Sequence, residues 1–277
     1  MSRQMEEKKI KMVVFDWAGT TVDYGSSAPA EVFAEIFEEA GIHLTREEIN
    51  GPMGMEKKAH IRALLSLEGA GRQWEACWQR PWNEEDVEAL YERFEEKLAE
   101  VVARYSVPIE DVVLTVGRLR EMGLKIGSTT GYNAQMMENV IPVAEAGGYH
   151  PDCIVTPDVT GQGRPSPFMV FECMRQLNVY PPKSVVKVGD TVADILEGKN
   201  AGAWSIGILE ASNLLGLTKA EYDGLSEEER KTKKEAARRK YLEAGADLVI
   251  DSIRELPDTV EKLDKIAKGE CRNEQLL

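Results

Sequence analysis

Four polar groups stand where short apolar runs end. Asp16 follows Ile10–Phe15, Thr130 follows Leu124–Thr129, Asp190 follows Val185–Val188 by two residues, and Arg164 sits in the glycine-rich stretch GQGRPSP. Asp194 lies four residues beyond Asp190. Two carboxylates on one edge can hold Mg²⁺, a hard cation that takes oxygen ligands. A hydroxyl and a guanidinium beside them can hold a phosphoryl group. A remaining carboxylate oxygen can attack phosphorus and form an aspartyl-phosphate. Each residue also has a purely structural use: an Asp or Thr at a strand end caps or turns the chain, and a loop Arg is solvated. Their coincidence on one edge points to chemistry.

That coincidence requires the apolar runs to be strands of one parallel sheet, because in open α/β sheets ligands bind beyond the carboxyl ends of the strands. Short β-rich runs are expected at 10–15, 124–129, 153–155, 185–188, 204–208 and 248–250, alternating with helices at 133–146, 167–177 and 192–200. Directly after the first strand the pattern turns helical. Helices are expected at 28–40, from the capping-box sequence Thr45-Arg46-Glu47-Glu48, at 56–67 and at 83–105. The expected fold is an α/β core, a Rossmann-like parallel sheet formed by 1–25 and 104–277, with an all-helical cap inserted at 26–103. Trp74, Trp78 and Trp82 recur every four residues in that cap and read as core or subunit packing. Ser226–Lys240 places Glu227, Glu229 and Glu235 four residues before Lys231, Lys233 and Arg239, the pattern of a solvated helix.

The 277 residues are 43% hydrophobic, enough for a sizeable core. A formal net charge of −14 argues against a nucleic-acid surface, which needs clustered Lys and Arg, but leaves room for a small anionic substrate in a locally positive pocket. Cys77, Cys153, Cys173 and Cys271 form no C-x-x-C pair and read as packing thiols of a reducing compartment. No apolar run is long enough to span a bilayer, and MSRQMEEKK lacks a signal-peptide core, so a cytoplasmic location without membrane contact is expected.

The ordered segments FDWAGTT, STTG, GRPSP and GDTVAD resemble the four motifs of the haloacid dehalogenase superfamily. The resemblance implies Asp16 as nucleophile, Mg²⁺ held by Asp16, the Ala18 carbonyl and Asp190, support from Asp194, and phosphoryl binding by Thr130 and Arg164. Most members carry Lys where this chain has Arg164.

The departure at Ala18 is informative. Phosphatases of the superfamily place there an Asp that protonates the leaving alkoxide, and Ala cannot do so. A leaving group other than oxygen removes the need. In GPMGMEKKAHIR, Lys57 and His60 share a helix face and Lys58 points elsewhere. A neutral Lys can form a Schiff base with an aldehyde, and the iminium is an electron sink that lets carbon leave phosphorus as an enamine. Spacing alone favours solvated surface lysines and a helix-face histidine. FDWAGTTVDYG, the M-G-x-x-K-x-x-H stretch at Met53–His60 and GSTTGY at 127–132 resemble the phosphonoacetaldehyde hydrolase (phosphonatase) family. That resemblance implies Lys57 as the imine-forming residue and His60 as its proton-transfer partner. It also implies Met53, Gly131 and Tyr132 at the substrate, and a homodimer joined through the cap. Ser26, at the hinge, replaces the Cys of some members. The alternatives from sequence are an atypical phosphomonoesterase or phosphomutase of the superfamily, and a non-catalytic phosphate-binding member.

Overall fold

The computed structural model describes residues 8–270. Cys271 and the first seven residues, whose character entered the expectations above, lie outside them. The first strand, β1 (Met12–Phe15), is wholly buried. Among the described residues six α-helices follow before the next strand, the first five being α1 (Ser27–Glu39), α2 (Arg46–Asn50), α3 (Lys57–Leu65), α4 (Glu68–Trp78) and α5 (Glu84–Tyr105). Then come α6 (Val112–Glu121), β2 (Lys125–Thr129), α7 (Ala134–Ala146), β3 (Cys153–Val155), α8 (Pro157–Thr160) and α9 (Phe168–Gln176). The chain continues through β4 (Val185–Gly189), α10 (Val192–Ala201), β5 (Trp204–Ile208), α11 (Lys219–Gly224), α12 (Glu227–Glu243), β6 (Leu248–Ile250) and α13 (Leu256–Ala267).

All six strands form one parallel sheet in the order β3-β2-β1-β4-β5-β6. Helices cover both faces, which explains why β1 reads as a continuous apolar run and why every residue of β4 is buried. The order reverses between β1 and β4. Such a switch point leaves a crevice at the carboxyl ends of the two strands, where neighbouring loops part in opposite directions. Asp16 and Asp190 stand at those ends.

The helical insertion packs mainly on itself. Phe33 of α1 stacks on Phe94 of α5 with ring centroids 4.4 Å apart. The Thr45–Glu48 capping box forms as expected and starts α2. Asn83 caps α5 through the backbone N–H groups of Glu85 and Asp86.

Three sequence expectations need correction. The Trp stripe is broken, because α4 ends at Trp78 and Gln79 adopts a left-handed conformation (φ 58°), so Trp82 leaves the helix face. Trp74 is buried, and Trp78 stacks on it while remaining half exposed. In α12, the ion pair at helical spacing is Lys231–Glu235 at 3.9 Å rather than any of the three expected Glu-to-base pairs. That helix is also more than a solvated rod. Its last turns bury Ala237 and Tyr241, and the Tyr241 hydroxyl lies 2.6 Å from the carbonyl oxygen of Asp190. Among the described residues no helix is long and apolar enough to cross a membrane.

Candidate active site

Asp16 is placed by the sheet. Its N–H donates to the Val188 carbonyl across the β1–β4 seam, at 3.0 Å. The chain then turns sharply at Gly19 (φ +82°), where a Cβ would lie 2.0 Å from Asp190 Oδ2. Glycine is therefore required for this loop to wrap so closely around the second carboxylate. Asp190 accepts hydrogen bonds from the Asn213 N–H at 2.8 Å and from the Thr20 and Ser26 hydroxyls, each at 3.3 Å. Ser26, expected to matter only for hinge docking, thus touches the carboxylate cluster directly.

Asp194 occupies the third position of α10. It closes a capping box with Thr191, whose hydroxyl donates to Asp194 Oδ2 at 2.6 Å. Its other oxygen meets Lys187 Nζ at 2.6 Å and Arg164 Nη1 at 3.1 Å. Arg164 also reaches Asp16 Oδ1 through Nη2 at 2.7 Å and Glu197 Oε2 through Nε at 3.0 Å.

Electrostatics follow from this burial. Burial pushes the Asp190 carboxyl well above its ordinary value, and Asp16 and Asp194 push it the same way. Burial also works against ionisation of Asp194, but Arg164 and Lys187 outweigh it and hold that carboxyl below the usual range. Burial disfavours the charge on Arg164 too, and Asp16, Asp194 and Glu197 more than restore it. The oxygens of Asp16, Asp190 and Asp194 converge within 4.8 Å of one another. Asp194 already has two cationic partners, whereas Asp190 faces Asp16 with no cationic side chain in contact among the described residues. A divalent cation shared by Asp16 and Asp190 relieves that repulsion, so the donor set fits an oxygen-preferring metal ion.

Across the crevice α3 presents Lys57. Only 4% of this residue is exposed, and its Nζ makes no salt bridge or hydrogen bond among the described residues. It sits 5.1 Å from the Tyr132 ring centroid and 5.8 Å from that of Phe33. Burial lowers its pKa to about 8, with Asp16 opposing and Arg164 assisting the shift. His60, one turn on, is fully buried against Phe33, with its Nε2 2.9 Å from the Ile49 carbonyl. A carbonyl only accepts, so Nε2 carries the proton and Nδ1 is the free base, buried with no partner. Burial, then the nearby Lys57, drives the His60 pKa well down. Lys58 points away, as expected, and pairs with Glu88 at 2.7 Å.

Eight of the residues selected from sequence line one small cavity of about 20 Å³, room for about one water. Asp16, Ala18, Thr130, Gly131, Tyr132 and Arg164 come from the sheet side, and Met53 and Lys57 from the helical insertion. Asp190, Asp194 and His60 stand behind this wall. A cleft of about 760 Å³ lies outside it, and Lys57, Gly131 and Arg164 line both spaces. Sequence reasoning missed Lys187 and Glu197. Their signals were a charged residue inside an apolar strand and an acid one helical turn after Asp194.

A parallel doubly wound sheet carrying this carboxylate–cation cluster at its switch point defines a haloacid dehalogenase-like hydrolase, and residues 10–202 match the model of that family. A phosphonoacetaldehyde hydrolase from Bacillus cytotoxicus is 46% identical over 257 residues, covering 93% of this chain and 97% of that protein. A bifunctional phosphonoacetaldehyde hydrolase/aminoethylphosphonate transaminase from Clostridioides difficile is 47% identical over 93% of this chain and 40% of its own. The crystal structure of a phosphonoacetaldehyde hydrolase-like protein from Oleispira antarctica superposes with a TM-score of 0.92 at 33% identity, covering 98% of this chain and 100% of that one. Within the haloacid dehalogenase-like hydrolases, the chain belongs to the phosphonoacetaldehyde hydrolase family.

Proposed function

We propose that this enzyme hydrolyses the C–P bond of phosphonoacetaldehyde to acetaldehyde and phosphate, using a Lys57 Schiff base and an Asp16 aspartyl-phosphate. The observation that carries this reading is the unpaired Lys57 amine, buried on the same small cavity as Asp16 and Ala18. A lysine with a pKa near 8 is neutral often enough to attack a carbonyl at physiological pH.

In this reading Lys57 Nζ adds to the aldehyde carbon, and loss of water gives the iminium. Asp16 attacks phosphorus as the C–P bond breaks, and its electron pair moves into the iminium to form an enamine. Protonation at carbon and hydrolysis of the imine release acetaldehyde and regenerate Lys57. Water then cleaves the aspartyl-phosphate. No alkoxide departs, so no acid is needed at Ala18. His60 Nδ1, the free base beside Lys57, takes and returns the protons of imine formation. Asp16, Asp190 and the Ala18 carbonyl would hold Mg²⁺, which supplies charge neutralisation for an anionic phosphonate approaching an anionic nucleophile. Thr130 and Arg164 orient the phosphonate oxygens, and Met53 and Tyr132 enclose the two-carbon chain.

The helices between β1 and β2 act as a cap. The cavity of about 20 Å³ is too small for the substrate, so the cap must open to admit it and close to exclude water. The half-exposed Trp78 on α4 favours self-association through this cap. A monomer in sedimentation at micromolar concentration would rule out that dimer. The deciding experiment for the chemistry is borohydride reduction in the presence of phosphonoacetaldehyde, followed by peptide mapping. A two-carbon or phosphonate-bearing adduct on Lys57 is expected, and phosphate release with no adduct there overturns the reading.

A further inference from the structure

The Arg164 guanidinium uses its planar fork in three directions. Nη2 faces Asp16 Oδ1 at 2.7 Å and the Thr129 carbonyl at 2.8 Å, Nη1 faces Asp194 Oδ1 at 3.1 Å, and Nε faces Glu197 Oε2 at 3.0 Å. Thr129, at the end of β2, also accepts from Nη2 through its hydroxyl at 2.8 Å, and Glu197 is the partner of Nε. Glu197 comes from α10, one turn after Asp194, and is completely buried. The same oxygen accepts from the Thr129 hydroxyl at 3.0 Å and lies 3.5 Å from Lys187 Nζ. Its other oxygen, Oε1, has no partner. A carboxylate so deeply desolvated is costly unless its geometry with a cation is good, and here one oxygen serves all three contacts.

We propose that Glu197 is the positioning residue that lets an arginine, rather than a lysine, serve at position 164. Glu197 accepts from Nε, while Asp194 lies 3.1 Å from Nη1 without a hydrogen bond to it, so it is Glu197 that fixes the rotation of the guanidinium plane on this side. The remaining Nη2 edge is then held toward Asp16 and the phosphonate oxygens. A lysine has no Nε–H edge and no plane to orient, so Glu197 has nothing to position in its presence. Lys187 is the complement of this device. It pairs with Asp194 and lies near Glu197, so the buried carboxylates keep a cation whichever way the guanidinium turns.

This inference rests on the proposed role of Arg164 at the phosphonate, and a double-mutant cycle separates the two. The steady-state constants of wild type, Glu197→Gln, Arg164→Lys and the double variant are measured with phosphonoacetaldehyde, together with borohydride trapping of Lys57 as a check on the intact cap and cavity. Glu197→Gln is expected to lower kcat about tenfold to a hundredfold, the scale of a misplaced catalytic group. In the Arg164→Lys background the same change is expected to cost less than twofold. Losses that multiply in the double variant would assign Glu197 to general support of the core and overturn the proposal. An Arg164→Lys variant as active as wild type would instead remove the role of Arg164 itself. Should Glu197→Gln not fold, Glu197→Asp takes its place in the cycle. It keeps the charge and draws the carboxylate back from Nε, and the same non-additivity with Arg164→Lys is expected. Multiplying losses there overturn the proposal equally.

Discussion

Gly131 and the carbonyl of Met55 close the active site between them. A Cβ built on Gly131 would lie 2.7 Å from that oxygen and 3.2 Å from the carbonyl of Gly54. Gly131 belongs to the loop after β2, and Met55 leads into the helix that carries Lys57. The backbone of the cap therefore rests directly on the backbone of the core, with no side chain between them. Gly131→Ala should hold the cap ajar while leaving the sheet intact. A loss of about a hundredfold in kcat/KM is expected, the usual penalty for displacing reacting groups by about an ångström. Thermal unfolding of the variant, followed alongside the kinetics, should show little change. A variant with wild-type turnover would mean that the contact yields without moving Lys57.

The buried Lys57 amine sets a pH dependence with a definite sign. Only the neutral amine attacks the aldehyde, so borohydride trapping should rise with pH and level off above about 8. Stability moves in the same direction. The folded-state pKa lies below the ordinary 10.5, so between about 8 and 10.5 the unfolded chain binds more protons. Folding is therefore favoured as pH rises through that window, and the full penalty is present below about 8. Lys57→Met removes the penalty and should stabilise the fold by about 3 kcal/mol at neutral pH while abolishing turnover. Equal melting temperatures for the two proteins would show that Lys57 is not held under desolvation stress.

Much of this site was legible because its residues obey strict local rules. Asp16, Thr130 and Asp190 could be read because strands end where apolar runs end, and a parallel sheet brings such ends to one edge. Spacing put Lys57 and His60 on one helix face, but it was the resemblance of M-G-x-x-K-x-x-H to the phosphonatase motif that singled them out. The support behind them was hidden for physical reasons. Lys187 lies inside β4, where a charged residue looks like an interruption until Asp194 is folded over it. Tyr241 sits at the end of a charged helix far along the chain, and only tertiary packing carries its hydroxyl to the Asp190 carbonyl. Trp82 was grouped with Trp74 and Trp78 by period alone, and the left-handed Gln79 broke the period.

The two halves of the proposed reaction should separate by mutation. Lys57 forms its imine on the cap side of the cavity, and Asp16 attacks phosphorus from the sheet side. Asp16→Ala should release no phosphate yet still yield a Lys57 adduct on reduction. Lys57→Arg should give neither product nor adduct, since a guanidinium keeps the charge and cannot form the imine. Appreciable phosphate from the Asp16 variant would show that another group is the nucleophile.

Chelation should act on the sheet side alone. Asp190 is buried against Asp16, and burial plus that neighbour push its carboxyl well up. Arg164 serves Asp16, but without a further cation Asp190 has no positive partner in contact among the described residues to favour its ionised form beside an anionic phosphonate. Treatment with a divalent-metal chelator should stop turnover, and restoring Mg²⁺ should recover it. The rate of phosphate release at graded free Mg²⁺ is the measurement, and an unchanged rate at the chelator-buffered limit would exclude Asp190 as a metal ligand.

Ala18 can be tested by restoring the carboxylate it lacks. Position 18 and Lys57 line the same small cavity, with room for about one water. An Asp side chain introduced there would take that space and face the amine directly. An opposite charge at such range stabilises the protonated lysine, so the Lys57 pKa should rise from about 8 toward its ordinary value. Ala18→Asp is therefore expected to move the midpoint of the trapping profile to higher pH and to lower C–P cleavage at pH 7 by tenfold or more, about one pKa unit of lost neutral amine. The same carboxylate is a suitable general acid for an alkoxide leaving group, so hydrolysis of simple phosphate monoesters should rise from its basal level. The two effects have one cause, the choice between an iminium and an acid as the means of releasing the leaving group. A variant that gains monoester hydrolysis while its trapping midpoint stays at about 8 would uncouple them, and the small residue would then serve only to leave space for the substrate.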